Sequence, residues 1–446
     1  MTKVLVAGTF DIIHPGHINL IEQAKELGAL NQSLRSGLGS DNFLVVIIAR
    51  DENVKKMKGR NPYFDENKRL NQLKDVLSKT KRPGDWKVVL GDLDDPYKII
   101  KQEKPDVIGM GYDQQNYVKG LHDLAVNSDL HFKIERLKPF KEDVCKGKSI
   151  RKALEDEQAR FAESRRAGFL LINKPMDWTS HDVVAKLRSI TGIKQIGHTG
   201  TLDPFATGLL ICAIGQATKI AGVFNVLSKI YEAAITLGVT SDTYDRTGKI
   251  PIRPRAHGRE VNPKFHPRIN RGLNNSQISK SKIQNILKSF IGKQQQLPPM
   301  FSAKKVDGKK LYEIARQGKT IARKPSEIEI YKIELLRYKI QPTFRQAQGG
   351  ARNKQIPNPK SQIPNFEIRI VCSTGTYIRT LAHDIGQKLG TGAILEELKR
   401  TAIGDFNINE AVRLDQLTKD NYSKYLIKPL EAINRVNEFY ARYVFR

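Results

Sequence analysis

No apolar run in this chain approaches the roughly twenty residues that a membrane-spanning helix requires, so bilayer-spanning functions are not expected. The opening MTKVLVAGTFD reads as a first strand and lacks the basic, apolar and small-residue succession of a secretory leader. Cysteine is scarce. Cys145, Cys212 and Cys372 stand far apart, without the paired spacing of a metal cluster, and are expected as free thiols in a reducing cytoplasm. The other shortage is of negative charge: 47 Asp and Glu face 75 Lys and Arg, a formal net of +28.

That imbalance is unevenly shared. Residues 1–165 hold 29 basic and 25 acidic side chains, a net of +4, whereas residues 166–446 hold 46 and 22, a net of +24. A charge surplus that served solubility need not segregate in this way. A segregated one favours a polyanionic partner for the second part, most simply nucleic acid. At 446 residues the chain also exceeds one typical domain, and two or three are expected.

The first part alternates strands and helices. KVLVAGTF (3–10), FLVVIIARD (43–51), WKVVLG (86–91) and DVIGMGYD (106–113) are short, nearly unbroken apolar runs. HINLIEQAKELG (17–28) and PYKIIKQEKP (96–105) carry helical spacing between them. This rhythm predicts an α/β doubly wound parallel sheet. SIRKALEDEQARFAESRRAG (149–168) has helical composition and dense charge, and is expected to close the first domain at about 152 and link it over 153–167 to the next. From FLLINKP (169–175) the rhythm is lost and an α+β domain is expected, with a short tail over 436–446. Three stretches read as insertions: 29–42, 251–276 and 341–365. The last two are rich in Arg, Asn, Gln, Pro and Gly, and are expected as flexible surface loops.

GTFDIIHPGH (8–17) joins the first strand to its helix. Gly8 and Thr9 let the backbone approach a phosphate, and the following helix start directs free N–H groups and its dipole toward it. His14 and His17, three apart, can face the same anion. Without a carboxylate or thiol partner they make a poor metal site but good donors to a pentavalent phosphorus. The stretch resembles the HxGH signature of the cytidylyltransferase-like nucleotidyltransferases. VVIIARDENVKKMKGRNP (45–62) and KPDVIGMGYDQQ (104–115) are similar to the FAD synthase and glycerol-3-phosphate cytidylyltransferase branch. The resemblance covers about residues 1–152. It implies transfer of AMP or CMP from ATP or CTP, with Mg²⁺, to a small phosphate-bearing acceptor. It also implies that His14 and His17 hold the transferred phosphate, that Thr9 and Phe10 contact the nucleotide, and that Asp113 lies near base or ribose. The family's second motif is reduced to CKGKSIRKA (145–153). There Ser149 and Lys148 replace a hydroxyl cluster, and Arg151 is left to bind the triphosphate.

GHTGTLDPFATGLL (197–210) surrounds one carboxylate, Asp203, with small and apolar neighbours. Alone it has two readings: a turn cap, or a nucleophile kept ionised by an opposite charge. CSTGTYIRTLAHDIGQKLGTGA (372–393) offers that charge in Arg379, which on a strand would share a face with Tyr377. In chain order, LLINKPMDWTSHDVV, GHTGTLDPFATGLL, KIYEAAITLGVTSDTYDRTG, LPPMFSAKKVDGKKLYEIARQG and VCSTGTYIRTLAHDIGQKLGTGAILEELKRTAIG closely resemble the TruB family of tRNA pseudouridine-55 synthases, over about 168–435. The resemblance implies an α+β pseudouridine synthase fold with a mixed sheet and a catalytic cleft. The implied reaction isomerises a T-loop uridine of tRNA without metal or cofactor. In it Asp203 is the catalytic carboxylate, attacking C1′ or acting through a glycal route. Tyr231 would stack on the flipped uracil, Arg379 would pair with Asp203, and Tyr377 and Leu398 would line the base pocket. His198 would pack against flipped nucleotides and Lys174 would shape the wall. Lys304, Lys305, Lys309 and Lys310 are candidates for backbone contacts. Many members carry a further RNA-binding domain at this end; the thirty or so residues after RTAIGDFNINEAVRLDQL are expected to be too few for one.

The expectation is therefore a cytoplasmic, bifunctional protein: a tRNA uridine isomerase preceded by a nucleotidyltransferase domain. Two alternatives stand beside it. In one, flavin-type adenylyl transfer is the main activity; in the other, the chain is a tRNA-binding folding helper. The presence of Asp203, Tyr231 and Arg379 together argues against a pure binder.

Overall fold

The computed structural model describes residues 2–33, 42–78, 85–112, 114–140, 147–159, 167–249, 278–302, 304–306, 308–346 and 355–444. The first part runs β1 (Thr2–Gly8), α1 (Pro15–Ser33), β2 (Asn42–Ile48), α2 (Asp51–Lys58), α3 (Glu66–Ser78), β3 (Trp86–Leu90), α4 (Lys98–Glu103), β4 (Val107–Met110), α5 (Gln115–Val126), β5 (Lys133–Arg136) and α6 (Gly147–Ala159). Its five strands are all parallel, in the order β3-β2-β1-β4-β5. Each apolar run buries both faces of its strand: Val4, Val6, Val46 and Ile48 lie in one cluster, and Leu5, Val45, Ile47 and Ile108 in another. The strand order reverses beside β1, and such a switch point opens a crevice at the carboxyl end of the strand. Residues 8–17 lie there.

The second part runs β6 (Gly168–Lys174), α7 (Ser180–Thr191), β7 (Ile196–Thr199), β8 (Thr207–Ile214), β9 (Lys229–Leu237), α8 (Lys280–Lys288), β10 (Gly292–Gln296), β11 (Lys305–Val306), β12 (Lys309–Lys310), α9 (Leu311–Arg316), β13 (Ser326–Gln346), β14 (Gln355–Cys372), α10 (Ile378–Leu389), β15 (Ala393–Ile403), β16 (Phe406–Asn407) and α11 (Pro429–Val444), with a 3₁₀ stretch at Gly215–Val226. Its main sheet follows the path β10-β13-β14-β9-β15-β8-β6, with β7 on β8 and β16 on β15. The sheet is mixed, because β8 and β15 pair in parallel while the other pairs are antiparallel. α8 and α10 cover one face, where Ile283, Leu287, Leu381 and Ile385 pack with Tyr231, Ala233, Ile368 and Leu398.

Two local expectations meet a different structure. Residues 341–365 are not simply a loop: β13 and β14 pair from Ile330↔Cys372 out to Gln346↔Gln355 and absorb most of the stretch. A hairpin already registered near its base extends pair by pair without a new loop to close, so weak strand formers suffice. The stretch expected to close the first domain is a helix from Gly147 to Ala159. Its Ile150, Ala153 and Leu154 pack in one cluster with Ile12 and Phe64 of the first part and Phe169, Phe224, Phe406 and Val436 of the second. The tail is largely helix α11, whose Tyr440 and Ala441 join the core of the first sheet. The stretch 251–276 lies outside the described residues, as do 34–41 of the earlier insertion; α1 itself continues to Ser33.

Candidate functional site

Asp203 sits on the loop between β7 and β8, where Gly200 has φ +75°. Three groups hold this loop. Ser180 Oγ accepts from Leu202 N–H at 3.0 Å, Asp177 N–H donates to the Pro204 carbonyl at 2.9 Å, and Lys174 Nζ donates to the same carbonyl at 3.0 Å. Lys174 is fully buried and also donates to the Pro175 and Trp178 carbonyls, so it staples two loops together. Burial pulls its pKa down to about 8, against the attraction of Asp203.

Opposite the loop stands α10. The Ile378, Leu381, Ala382, Ile385 and Leu389 spacing takes the Tyr377–Arg379 segment into a helix start, correcting the expected strand. Tyr377 is the N-cap residue, held by Gln296, which accepts from its N–H and donates to its carbonyl. Arg379, in the first turn, donates to Asp203 Oδ1 at 2.6 Å and to Asp245 Oδ2 at 3.3 Å. Asp245 is 1% exposed and accepts further hydrogen bonds from Thr243 Oγ1, Thr247 N–H and Thr247 Oγ1. One guanidinium is thus shared by two carboxylates, the inner fully held and the outer, Asp203, with 27% of its side chain exposed. Burial pushes the Asp203 carboxyl above its ordinary value; Arg379 and Lys174 pull it down and Asp245 pushes it up.

The apolar wall is continuous with the core. Tyr231 on β9, Leu398 on β15, Leu202 and Phe205 share one cluster. Tyr231 lies across from Arg400 of β15. Burial raises its phenol pKa, opposed by Arg400, which also hydrogen-bonds it. Arg400 is 1% exposed and donates to the Leu209 and Gly200 carbonyls, tying the Asp203 loop to the sheet. Gly208 makes this close approach possible, since a Cβ there would lie 2.3 Å from the Arg400 carbonyl oxygen. His198 on β7 is half-buried and edge-on to His181 at 5.5 Å; burial first, then His181 and Arg400, lower its pKa to about 4. It is therefore neutral near neutrality, suited to packing. Lys304 donates to Ser326 Oγ at 2.5 Å, and Lys309 is exposed on the β11–β12 hairpin.

Asp245 and Arg400 were not singled out by the sequence reading. A signal for Arg400 existed: Leu398, Arg400 and Ala402 alternate inward along β15, so a cation stood where the strand period points into the core. Asp245 had only its place between Thr243 and Thr247, both hydroxyl donors.

At the first site, the described residues bring Thr9, Phe10, His14 and His17 together at the carboxyl end of β1. Phe10 has φ +46° and packs its ring 5.2 Å from that of His17. The His14 and His17 rings stack at 3.9 Å. Burial, then His17, hold His14 well below its ordinary value; burial, then Lys58, hold His17 at about 4. Among the described residues His17 Nδ1 is buried without a hydrogen-bond partner. Lys58 Nζ donates to Thr9 Oγ1 at 2.8 Å. Buried Arg69 donates to the Thr9 and Ala49 carbonyls and to Asp51, fixing the loop from below. The start of α6 abuts His14, where a Cβ on Gly147 would lie 3.3 Å from Nε2. Arg151 pairs with Asp11 at 2.9 Å and with Glu155 at 2.6 Å, while Ser149 and Lys148 are exposed. Asp113 lies outside the described residues. Among the described residues no group of three or more His, Cys, Asp or Glu side chains is arranged to hold a metal ion, and no helix is long and apolar enough to cross a membrane.

Comparison with known proteins matches residues 188–378 to the N-terminal domain of the TruB family pseudouridylate synthases and residues 379–433 to the C-terminal domain of tRNA pseudouridylate synthase B. Residues 5–157 match the cytidylyltransferase-like family. The chain is 39% identical over 272 residues to tRNA pseudouridine synthase B of Clostridium novyi, covering 61% of this chain and 79% of that protein. It is 38% identical over 276 residues to that of Geotalea uraniireducens, covering 61% and 76%. Among solved structures, one of a Cbf5-Nop10-Gar1 complex aligns with TM-score 0.40 and 24% identity, over 61% of this chain and 63% of that one.

Proposed function

The chain belongs to the TruB family of pseudouridylate synthases, and from that premise we propose that its Asp203 cleft isomerises the T-loop uridine of tRNA at position 55. It is an RNA isomerase of the pseudouridine class, preceded by a cytidylyltransferase-like domain. In the reaction the bond from C1′ to N1 breaks, the uracil turns, C5 bonds to C1′, the C5 proton leaves and N1 takes one up. Asp203, ionised against Arg379, attacks C1′ or removes the C2′ proton of a glycal route. Tyr231 and Leu398 receive the flipped uracil, and Tyr377 closes the pocket beside Arg379. Extruding the base costs a few kcal/mol, and one aromatic stack returns about 1–3 kcal/mol. Phosphate contacts from the +24 part supply the remainder. His198 packs against neighbouring nucleotides, and Lys174 holds the wall.

The observation that carries this reading is the 2.6 Å pair between Asp203 and Arg379, on a loop whose Leu202 and Phe205 share an apolar cluster with Tyr231 and Leu398. In the deciding experiment, purified protein is incubated with unmodified tRNA, without added metal or nucleotide, and pseudouridine is mapped by sequencing. Wild type converts the T-loop uridine, and Asp203→Asn gives no product while still binding the tRNA. An untouched uridine with wild type defeats the proposal. Product formation by Asp203→Asn removes the catalytic role of that carboxylate.

For the first domain we infer transfer of AMP or CMP from ATP or CTP, carried with Mg²⁺, to a small phosphate-bearing acceptor, with release of pyrophosphate. The stacked His14 and His17 and the nearby Lys58 support it, since a neutral His14 whose Nδ1 accepts from Gly16 N–H keeps its Nε2–H to donate to a phosphoryl oxygen without repelling the cation that accompanies it. Failure to release pyrophosphate with FMN, glycerol-3-phosphate and pantetheine phosphate as acceptors would reduce the domain to a binding role. A cytoplasmic location accords with both activities.

A further inference from the structure

α11 crosses from one half of the molecule to the other. Ala432, Ile433 and Val436 pack in the cluster shared with Phe224 and Phe406 of the second part. One turn later Tyr440 and Ala441 belong to the core of the first sheet, with the Tyr440 ring 5.6 Å from that of Phe140. Between these two contacts lies Asn437, 2% exposed. Its Nδ2 donates to the Ile13 carbonyl at 2.7 Å, across 424 residues of sequence. Ile13 immediately precedes His14, so the acceptor belongs to the peptide plane that carries the His14 N–H. The other side of His14 is held within the loop: its carbonyl accepts from His17 N–H at 2.9 Å, and its Nδ1 accepts from Gly16 N–H at 3.2 Å. The apolar contacts of α11 hold the helix in place. The hydrogen bond does something more specific, because a carbonyl in this dry position needs a donor, and its direction sets the rotation of the Ile13–His14 peptide.

We propose that Asn437 is a positioning residue of the first site: by holding the Ile13 carbonyl it keeps His14 stacked on His17 and facing the triphosphate. The proposal rests on reading the first site as a nucleotide site. It makes the second half of the chain a contributor to the first half's chemistry, through a residue that does not touch the substrate.

The test uses the full chain, wild type and Asn437→Leu, with Asn437→Ser as the second variant should Leu disturb packing. Carbethoxylation of each histidine by diethylpyrocarbonate is read by mass spectrometry, binding of Mg²⁺ with ATP or CTP by calorimetry, and pseudouridine formation on tRNA in parallel. The expected result is faster modification at His14 and His17 with His198 unchanged. Triphosphate affinity falls about tenfold, the size of one buried hydrogen bond, and pseudouridine formation keeps its rate. Unchanged His14 reactivity overturns the proposal. So does a rise shared equally by His198, which marks general loosening. If wild type binds neither nucleotide, the nucleotide reading fails, and so does the role claimed for Asn437 in it.

Discussion

Replacing Arg379 by methionine keeps much of the side chain's length and removes its charge from between Asp203 and Asp245. Two carboxylates then face each other without a countercharge, one of them 1% exposed. A unit-charge pair about 4 Å apart interacts by about 4 kcal/mol at an effective dielectric constant of about 20. Asp203 keeps 27% of its side chain exposed, so solvent screening reduces this to roughly 2–3 kcal/mol. At about 1.4 kcal/mol per pH unit, the acid limb of catalysis moves up by about two pH units. The assay is single-turnover release of tritium from 5-tritiated uridine in tRNA, from pH 5 to pH 9. For wild type the rate rises with pH as Asp203 ionises and then levels. For Arg379→Met the rise comes later, with a deficit of up to about 100-fold on the acid side that shrinks toward pH 9. Asp245→Asn keeps an acceptor for Thr247 and removes the repelling charge, so its limb moves the opposite way. Equal loss at every pH in Arg379→Met, with the limb in place, would refute the electrostatic account and leave Arg379 a purely structural or substrate-holding part.

Two further outcomes concern stability. Gly208→Ala places a Cβ 2.3 Å from the Arg400 carbonyl at φ +106°, and should cost roughly 3 kcal/mol or more, lowering the melting temperature by roughly 6 °C or more; an unchanged melt would contradict the close approach. His17, held at about 4 against an ordinary 6.5, and His14, also lowered, stay neutral in the fold while the unfolded chain takes up protons. Their contribution is fully present above pH 6.5 and is lost as pH falls toward 4, roughly 3 kcal/mol from His17 alone. Denaturant unfolding at pH 7.5, 6 and 5 checks it, and a flat profile would count against the buried imidazoles.

The parts of the fold that local pattern encodes were readable. Val4 to Val6 and Leu44 to Ile48 are apolar on both faces, as a covered parallel strand must be, and the Gly8–His17 motif falls at the switch point that such a sheet creates. The pairing of Asp203 with Arg379 rested on a resemblance spread over five motifs, and the 2.6 Å contact gives it a physical form. Tyr377 and Arg379 were misplaced on a strand because two residues carry no period; the apolar positions Ile378, Leu381, Ala382, Ile385 and Leu389 do. Asp245 escaped notice because its role depends on a guanidinium 134 residues away. Least legible was α11. Its Ala432, Ile433, Val436 and Tyr440 spell an amphipathic helix, but no local rule says that such a helix will dock on α1 and α3, formed at the other end of the chain.

The bond between Asn437 and Ile13 also has a consequence for biosynthesis. The loop around His14 leaves the ribosome 424 residues before the side chain that holds its carbonyl. At roughly 5–20 residues per second this is a wait of about 20–85 s, during which the first sheet can form with Tyr440 and Ala441 still missing from its core. A nascent chain paused before α11 would therefore leave uncovered the apolar side chains of α1 and α3 that share a core cluster with Tyr440 and Ala441. Docking of α11 then completes that core and brings the Asn437 donor to the Ile13 carbonyl.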